Sequence, residues 1–488
     1  MSNPTVETTH GTLQGTDHGG LLRFAGIPYA APPVGPRRFM PPAPPAAWTG
    51  VRSAEHLGAV VPQLPSPLDA ALGAEPPVQD EAESLVLNVW TPGLDGDRPV
   101  MVWIHGGAFL NGAGSFPLYD GAHLASTGDV VVVTINYRLG AFGFLHLEDI
   151  AGETASGSGL AGTLDQVAAL EWVRDNIASF GGDPGNVTIF GESAGAMSVN
   201  TLLGLPAAQG LFHKAIAQSG GANFCREAAD AAVIAKDFLA HAGVGTLEEL
   251  QALPVQAILD AQAAMLQGGR LDMPFTPVVD GTHLPQQPLA ALRDGLGDVP
   301  VLIGTTRDEF SLFLMLDMNL FSVDAARVAA EARGVFGDDA EALIETYARN
   351  RPGAAGSDLL VAFMTDHLFR IPVIRVAETQ HGEGRDAFMY LFAYESRVAE
   401  FLKSCHALEL PFVFGTLDAG AMLTGDGDDR QALSDAMVSA WTRFARTGDP
   451  GWPAYDPATR TVMRFDATGT GVVHDPDAEE RLLWEGRA

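Results

Sequence analysis

Cysteine is almost absent from this chain, and its scarcity limits where the protein can work. Two cysteines, Cys225 and Cys405, occur in 488 residues. A framework of several disulfide bonds, as in small secreted domains, is therefore excluded, and at most one bridge can form. We expect a protein of the reducing cytoplasm, with Cys225 packed as a small apolar side chain.

Positive charge is also scarce. The chain has 29 Lys and Arg against 60 Asp and Glu, a net charge of -31. Nucleic acid and anionic membrane surfaces repel such a protein, so we expect neither as a partner. Adaptation to salt and a GC-rich genome would each account for the acidity, and the sequence does not separate them.

Long apolar runs and metal-binding motifs are missing as well. The strongest apolar run, residues 130–135, falls far short of the roughly 20 residues that a membrane-spanning helix needs. The first residues carry neither a basic stretch nor an apolar run, which predicts no signal peptide. Histidines, cysteines and carboxylates show no metal-ligand spacing, and no phosphate-binding glycine loop occurs, so we expect no metal and no cofactor.

What the chain does have is a strand, a sharp turn and a helix around Ser193. Residues 187–190 are β-branched and aromatic, and residues 194–199 are small and apolar. Between them, Gly191 to Gly195 form a Gly-x-Ser-x-Gly sequence. Such a turn strains the backbone of the central serine and lifts its hydroxyl above the sheet, at the positive end of the following helix. Ser193 is therefore a candidate nucleophile.

The wider pattern predicts an α/β fold. Apolar residues at three- and four-residue steps predict a helix from Leu164 to about Phe180. Strands separated by helices or long connections indicate a large, mostly parallel central sheet flanked by helices. The predicted strands cover residues 85–90, 100–105, 130–136, 187–190, 215–218, 299–303 and 388–392.

Three further segments lie around this pattern. Residues 5–30 predict an antiparallel sheet edge, and the proline-rich residues 55–84 predict a surface loop. Residues 310–385 are mainly helical in pattern, and we expect this excursion to cap the active site. Because no internal repeat appears, we predict one domain over residues 1–488.

A serine hydroxyl needs a base to remove its proton, and the base needs an anionic partner. In this kind of fold the acid and then the histidine follow the serine along the chain. Asp308 and Glu309 directly follow a predicted strand, and the residues alone do not choose between them. Among the downstream histidines, His406 is favoured because it lies in a loop entering an apolar segment; the others are His367, His381 and His474.

Acyl transfer also requires hydrogen-bond donors for the oxyanion. The turn around Ser193 supplies the amide of the following residue, and others must come from a glycine-rich turn after an earlier strand. The sequence Trp103 to Phe109, which contains two adjacent glycines, fits this role. A tight turn that needs positive φ would explain the same glycines without catalysis.

Taken together and in order, a series of motifs resembles the type B carboxylesterases, the α/β-hydrolase family that includes cholinesterases and bacterial p-nitrobenzyl esterases. The resemblance covers nearly the whole chain, and it is closest in pattern to the bacterial p-nitrobenzyl esterases. The motifs are residues 26–35, 87–92, 103–109, 136–144, 165–166, 180–184, 191–195, 307–309 and 406–415.

The resemblance implies roles for particular residues. The acid falls on Glu309, the base on His406 and the nucleophile on Ser193. The oxyanion donors fall on the backbone amides of Gly107, Ala108 and Ala194. Many members carry a third glycine where this chain has Ala108, and we expect its methyl group to disfavour esters of tertiary alcohols.

Two departures from the family pattern narrow the function. Ser84 stands where eukaryotic relatives have a disulfide-forming cysteine, consistent with a reducing compartment. No tryptophan occurs in residues 55–84, where cholinesterases carry the one that binds choline, so a choline ester is an unexpected substrate.

The sequence therefore predicts a serine carboxylesterase that acts on small esters with short to medium acyl chains and aryl or alkyl alcohols. We expect a monomer. Glu192 is a candidate substrate-binding residue or a structural carboxylate. Met273 and Phe275 are candidate acyl-pocket residues, although core packing also explains them. The alternatives are a non-catalytic binding module of the cholinesterase kind, an amidase or a lipase.

Overall fold

The structure, a computed structural model, describes residues 3–66, 77–267 and 273–487. Its main element is a mixed β-sheet, in which eleven strands are found within these ranges. In chain order the strands of the protein are β1 Thr5–Thr8, β2 Gly11–Gln14, β3 Thr16–Asp17, β4 Leu22–Pro28, β5 Val51–Ser53, β6 Val86–Thr91, β7 Arg98–Ile104, β8 Val131–Ile135, β9 Gly182–Glu192, β10 Lys214–Gln218, β11 Arg226–Glu227, β12 Val278–Val279, β13 Val301–Thr306, β14 Ala387–Phe392, β15 Thr461–Phe465 and β16 Gly471–His474.

The centre of the main sheet is parallel and its two edges are antiparallel. The strand order is β16-β15-β14-β13-β10-β9-β7-β8-β6-β4-β3. Strands β8, β7, β9, β10, β13, β14 and β15 run parallel to their neighbours in this series. Because parallel strands end at the same edge, the loops that follow β7, β9, β10 and β13 meet there, where ligands bind in open α/β sheets.

Helices cover both faces of the sheet. They are α1 Ala122–Gly128, α2 Gly140–Phe144, α3 Glu148–Ala151, α4 Ala161–Asn176, α5 Ala194–Leu203, α6 Ala228–Ala242, α7 Leu247–Gln251, α8 Val255–Leu266, α9 Pro288–Arg293, α10 Ala325–Phe336, α11 Ala340–Asn350, α12 Gly356–Thr365, α13 Ile371–Gly382, α14 Leu410–Phe414, α15 Ala421–Thr424, α16 Asp429–Thr447 and α17 Ala478–Leu482. No helix in the described ranges is both long enough and apolar enough to cross a bilayer.

Alternation along β7 shows how the two faces are built. Val102 and Ile104 join one apolar core, which also contains side chains of α4 and α5. Met101 and Trp103 point the other way, into a core that includes Trp441 of α16. Every residue of β7 after its first is buried, because a central parallel strand is covered on both faces.

The predicted strands in the centre of the sheet all form. Their ends agree with the prediction within two residues, except that β9 begins earlier, at Gly182, and β13 ends later, at Thr306. The predicted helix from Leu164 to Phe180 is present as α4 and a 3₁₀ turn at Ile177–Phe180. Between β13 and β14 the chain is mainly helical, from a 3₁₀ segment at Glu309–Leu316 through α10 to α13. That the chain forms a single domain stays a prediction.

Three features differ from the sequence prediction. Strands β15 and β16 were not predicted, because five and four residues are too few to show a clear periodic pattern. Near the N-terminus only β3 and β4 join the main sheet, while β1 and β2 form a separate sheet with β5. The prediction that residues 55–84 lie on the surface is wrong for Val60, Val61 and Gln63, because these three residues are buried. Residues 67–76 of the same segment lie outside the described residues.

Candidate active site

Ser193 occupies a strained turn between β9 and α5. Its backbone φ is 57° and its ψ is -124°, a conformation that residues other than glycine rarely adopt. The Ser193 amide donates a hydrogen bond to the Gln218 carbonyl at the end of β10, 2.9 Å away. The neighbouring strand therefore holds the serine in this conformation.

The two glycines of the turn are required by close packing. A Cβ atom added at Gly195 would lie 2.0 Å from the Ile104 carbonyl oxygen at the end of β7. A Cβ atom at Gly191 would lie 2.6 Å from the backbone of Gly195. Side chains are excluded at both positions. The two glycines of the Gly-x-Ser-x-Gly sequence are therefore needed because any Cβ atom there would collide with neighbouring backbone.

Glu309 and His406 form a short, buried hydrogen bond. Glu309 follows β13, and its Oε1 accepts from the Thr306 amide at 2.8 Å. Its Oε2 lies 2.6 Å from His406 Nδ1. Glu309 is fully buried and His406 is 5% exposed. An anionic carboxylate on Nδ1 fixes the tautomer that leaves Nε2 free to accept a proton.

Asp308, the other acid that the sequence left open, has a different task. Its carboxylate accepts from Arg307 Nε at 2.8 Å and from the Ser404 amide at 3.2 Å. It thus anchors the loop that leads to His406 and makes no contact with the imidazole. Glu309 is the acid in contact with the histidine.

The remaining candidate histidines are in other places. His367 stacks on Phe363 and Trp484, with ring centroids 6.0 and 5.7 Å away. His381 lies in the last turn of α13 and is exposed. His474 ends β16 at the sheet edge. His406 alone of the four pairs with Glu309.

The predicted oxyanion donors lie in two strained turns. Gly107 has φ of 111° and Ala108 has φ of 55°, and Ala194 begins α5. Among the hydrogen bonds of the described residues, none has the amide of Gly107, Ala108 or Ala194 as its donor. The two turns approach each other closely at Gly106, where an added Cβ atom would lie 3.1 Å from Ser193 Cβ. These amides are available to a bound oxyanion.

Glu192 precedes Ser193 in the turn, and its carboxylate lies close to His406. Its Oε1 is 3.0 Å from His406 Nε2, although the angles are not those of a hydrogen bond. Burial alone would lower the pKa of His406, but the charges of Glu192 and Glu309 outweigh it and raise the pKa well above its ordinary value. The imidazolium is therefore strongly stabilised in this site.

A third buried glutamate, Glu409, lies three residues after His406, directly before α14. Its Oε1 accepts from Gln218 Nε2 at 3.0 Å, and Gln218 Oε1 accepts from Trp441 Nε1 at 3.0 Å. Burial, together with the charges of Glu192 and Glu309, raises the pKa of Glu409 to about 8. The raised pKa favours the neutral form of Glu409, and that form adds no negative charge around the histidine.

Aromatic rings from the helical segment cover the histidine. The Phe313 and Phe369 ring centroids lie 5.1 and 4.9 Å from that of His406. The two phenyl rings are also stacked, 6.1 Å apart. Segment 310–385 therefore supplies an apolar wall to the site, as the prediction of a capping excursion requires.

The two candidate acyl-pocket residues are not brought to Ser193 by any contact. Phe275 is fully buried and packs edge-on against Phe238, with centroids 6.0 Å apart. Met273 is partly buried, and its carbonyl accepts from Arg226 at 2.9 Å. Their contact with substrate stays a prediction.

The two cysteines are free thiols. Cys405 is fully buried next to His406 in the chain. Cys225 as a whole residue is partly exposed. Its thiol is buried, and this burial raises the pKa of the thiol to about 12. Within the described residues, no group of three or more His, Cys, Asp or Glu side chains is arranged to hold a metal ion.

Sequence reasoning missed several residues around the site. Gln218 ends the strand beside β9, so its position could have been noticed from the strand end. Glu409 follows His406 by three residues in the same turn, and its closeness in sequence was the available signal. Phe369 and Trp441 carry no such signal, because long-range packing brings them in. The same holds for Gln63, whose side chain bonds to the Gly112 backbone.

The parallel sheet, the strained serine at its carboxyl edge and the Glu309–His406 pair beside it define an α/β-hydrolase. Residues 2–484 match the carboxylesterase family, and the chain belongs to that family. It is 41% identical over 499 residues to the para-nitrobenzyl esterase of Bacillus subtilis (strain 168), covering 99% of this chain and 98% of that protein.

Two further relatives agree with this assignment. The phenmedipham hydrolase of Pseudarthrobacter oxydans is 34% identical and covers 97% of both chains. The Geobacillus stearothermophilus carboxylesterase, in its crystal structure at pH 6.2, is 42% identical in sequence to this chain. The two structures superpose with a TM-score of 0.88, and the match covers 99% of this chain and 100% of that one. The similarity thus extends over whole chains in sequence and in fold.

Proposed function

We propose that the protein is a serine carboxylesterase that hydrolyses small carboxylic esters through an acyl-enzyme on Ser193. The observation that carries the proposal is the buried 2.6 Å contact between Glu309 Oε2 and His406 Nδ1, beside a serine held at φ 57°. Membership of the carboxylesterase family and the names of its esterase relatives support the reaction class.

In the proposed mechanism the Ser193 Oγ attacks the ester carbonyl carbon while His406 Nε2 takes the hydroxyl proton. The Glu309 carboxylate stabilises the imidazolium through Nδ1. The amides of Gly107, Ala108 and Ala194 stabilise the tetrahedral oxyanion. His406 then gives its proton to the leaving alcohol oxygen, and water attacks the acyl-enzyme by the same steps in the second half of the reaction.

The substrates that we propose have short to medium acyl chains and aryl or alkyl alcohols. The rings of Phe313 and Phe369 beside His406 support an apolar leaving group, since the histidine delivers its proton to that oxygen. The name of the para-nitrobenzyl esterase points in the same direction. We also propose a cytoplasmic monomer; the two free thiols are compatible with a reducing compartment.

The test is hydrolysis of p-nitrophenyl acetate, butyrate, octanoate and palmitate by wild type, Ser193→Ala and Ser126→Ala. Ser126 is an exposed serine in α1 and serves as the control. We expect turnover of the shorter esters, a loss of at least ~10³-fold in Ser193→Ala, and no change in Ser126→Ala.

Other results would select an alternative. Preference for dispersed palmitate would indicate a lipase, and faster cleavage of p-nitroanilides than of esters would indicate an amidase. A folded wild-type protein that turns over none of these compounds would overturn the proposal in favour of a non-catalytic binding module.

A further inference from the structure

The end of the chain packs against the helical segment that covers the active site. We call residues 478–487, which comprise α17 and the turn after it, the C-terminal clasp. Trp484, at its centre, is 4% exposed. Its ring lies 4.6 Å from that of Phe336 and is stacked at 6.0 Å on Phe363 and 5.7 Å on His367. The clasp thus inserts one large side chain among α10, α12 and the turn that follows.

A directed chain of hydrogen bonds starts at this tryptophan. Trp484 Nε1, which can only donate, lies 3.0 Å from Tyr347 Oη in α11. The Tyr347 hydroxyl must then use its single proton toward Asp366 Oδ2, 2.7 Å away. Asp366 in turn accepts two hydrogen bonds from Arg370, at 2.5 and 3.0 Å. Because each donor has one acceptor, this relay has a fixed direction.

The relay ends on an irregular turn of helix. Residues Asp366–Arg370 form a π-helix between α12 and α13. Pro372, the second residue of α13, has no amide hydrogen for the regular helical pattern. A π-turn is less favourable than an α-helical turn and needs support from its surroundings. Asp366 and Arg370, its first and last residues, are both buried, and Arg370 also donates to the Pro476 carbonyl at 2.9 Å.

Phe369 lies inside this π-helix and is one of two phenylalanines whose rings pack against the histidine. Its ring centroid is 4.9 Å from that of His406, and with Phe313 the three rings form a triangular cluster. The Glu309 bond fixes only one atom of the imidazole, Nδ1. The phenyl rings restrict rotation of the ring about that bond, because a well-packed neighbour leaves no room for another rotamer.

The clasp is also held by charge. Glu480, 2% exposed, accepts from both terminal nitrogens of Arg351 at 2.5 and 3.0 Å and from Asn350 at 3.1 Å. These partners end α11, the helix that carries Tyr347. Clasp and relay are therefore joined at two points on the same helix.

We propose that the C-terminal clasp positions the catalytic histidine: the relay Trp484–Tyr347–Asp366 holds the π-helix so that Phe369 packs against His406. The proposal rests on the proposed function only in taking His406 as the base. Trp484 and Tyr347 are positioning residues, since they act through Phe369 and touch neither substrate nor the reacting atoms.

Two substitutions test the relay with little change in packing. Trp484→Phe keeps an aromatic ring and removes the N–H donor, and Tyr347→Phe removes the hydroxyl that links Trp484 to Asp366. Phe369→Leu removes the ring at the end of the relay. Arg349→Gln is the control, because it breaks an exposed ion pair with Glu479 on the same clasp and helix.

We expect Tyr347→Phe to lower kcat on p-nitrophenyl butyrate about tenfold, with KM within about twofold, because a displaced base misaligns proton transfer. Phe369→Leu should give a similar loss, and the double variant Tyr347→Phe/Phe369→Leu no further loss. Trp484→Phe should have a smaller effect of the same kind, and Arg349→Gln none. The low-field proton resonance of His406 Nδ1–H should shift in the three relay variants.

A lowered Tm with unchanged kcat and an unchanged resonance would overturn the proposal, since the clasp would then be only structural. Additive losses in the double variant would overturn it too. The resonance reports the His406–Glu309 bond whether or not esters are turned over. An inactive wild type would therefore refute the proposed function, while the resonance would still decide on the clasp.

Discussion

Two adjacent residues in the turn after β7 have positive φ for different reasons. At Gly107 an added Cβ would lie 2.0 Å from the Asn111 carbonyl oxygen, so no side chain fits. Ala108 carries its methyl group at φ 55°, at a cost of about 1 kcal/mol relative to glycine. The first position is limited by space and the second only by backbone strain.

Opposite outcomes follow for this pair of residues. We expect Gly107→Ala to abolish turnover of p-nitrophenyl acetate, because displacement of the turn moves two of the proposed oxyanion donors. Ala108→Gly should keep that activity and raise Tm slightly. It should also increase hydrolysis of a tert-butyl ester, because the Ala108 methyl group occupies space that the bulky alcohol needs. Thermal melts and initial rates on both esters check this; no gain on the tert-butyl ester would refute the steric explanation.

We expect the charge of Glu192, whose Oε1 lies 3.0 Å from His406 Nε2, to influence the pH range in which His406 acts as the proposed base. His406 must be neutral to accept a proton, and two carboxylates raise its pKa, so the acidic limb of kcat/KM should lie above pH ~6.5. In Glu192→Gln the imidazolium loses one stabilising charge. Its pKa falls, and the acidic limb should move down by about one pH unit.

The measurement is kcat/KM for p-nitrophenyl acetate against pH, with Glu345→Gln as the control because Glu345 is exposed on α11. An acidic limb that stays in place in Glu192→Gln would show that Glu192 does not act on His406. An acidic limb that moves to higher pH in Glu192→Gln would show that Glu192 lowers, rather than raises, the pKa of His406.

At the scale of elements, one ion pair joins α4 to the segment after β8. Arg138 donates to Asp165 through its backbone amide at 3.0 Å and through its side chain at 2.7 and 2.6 Å. The two side chains are 3% and 0% exposed. Arg138 also donates to the Met40 carbonyl at 2.6 Å, so it connects the N-terminal region as well.

We expect Asp165→Asn to lower the free energy of unfolding by about 3–5 kcal/mol, because it leaves the Arg138 charge buried without its partner. Asp175→Asn in the same helix breaks an exposed pair with Arg174 and should change it by less than ~0.5 kcal/mol. Urea unfolding at pH 7 compares the two. If both variants lost the same free energy of unfolding, burial would not explain the contribution of the Arg138–Asp165 pair.

At the scale of the whole molecule, the net charge of -31 makes the folded chain repel itself. Salt screens this repulsion, with a Debye length of about 10 Å at 0.1 M. We expect Tm to rise between 20 and ~300 mM NaCl. The rise should shrink near pH 5, where fewer carboxylates are ionised. A fall in Tm with salt would show that ion pairs outweigh the repulsion.

Much of the fold and part of the site follow from local sequence. The apolar strands at the centre of the sheet are recognisable because burial on both faces requires runs such as residues 130–135. The Gly-x-Ser-x-Gly turn is recognisable because Gly191 and Gly195 answer a local steric need. Short strands such as β15 are not, since β15 takes its place in the sheet by pairing with β14, which lies far away along the chain.

The sequence by itself determined the Gly-x-Ser-x-Gly turn around Ser193, the central strands of the sheet and a short set of candidate acids and bases. The family resemblance implied Glu309 as the acid, and the tertiary structure shows the contact of Glu309 with His406. Only the tertiary structure placed Glu409 and Gln218 together near the site and set Phe369 against the imidazole. These contacts join residues distant in sequence: 97 positions separate His406 from Glu309 and 191 separate Gln218 from Glu409. Local propensity carries no information about such distances, because packing of the whole sheet fixes them.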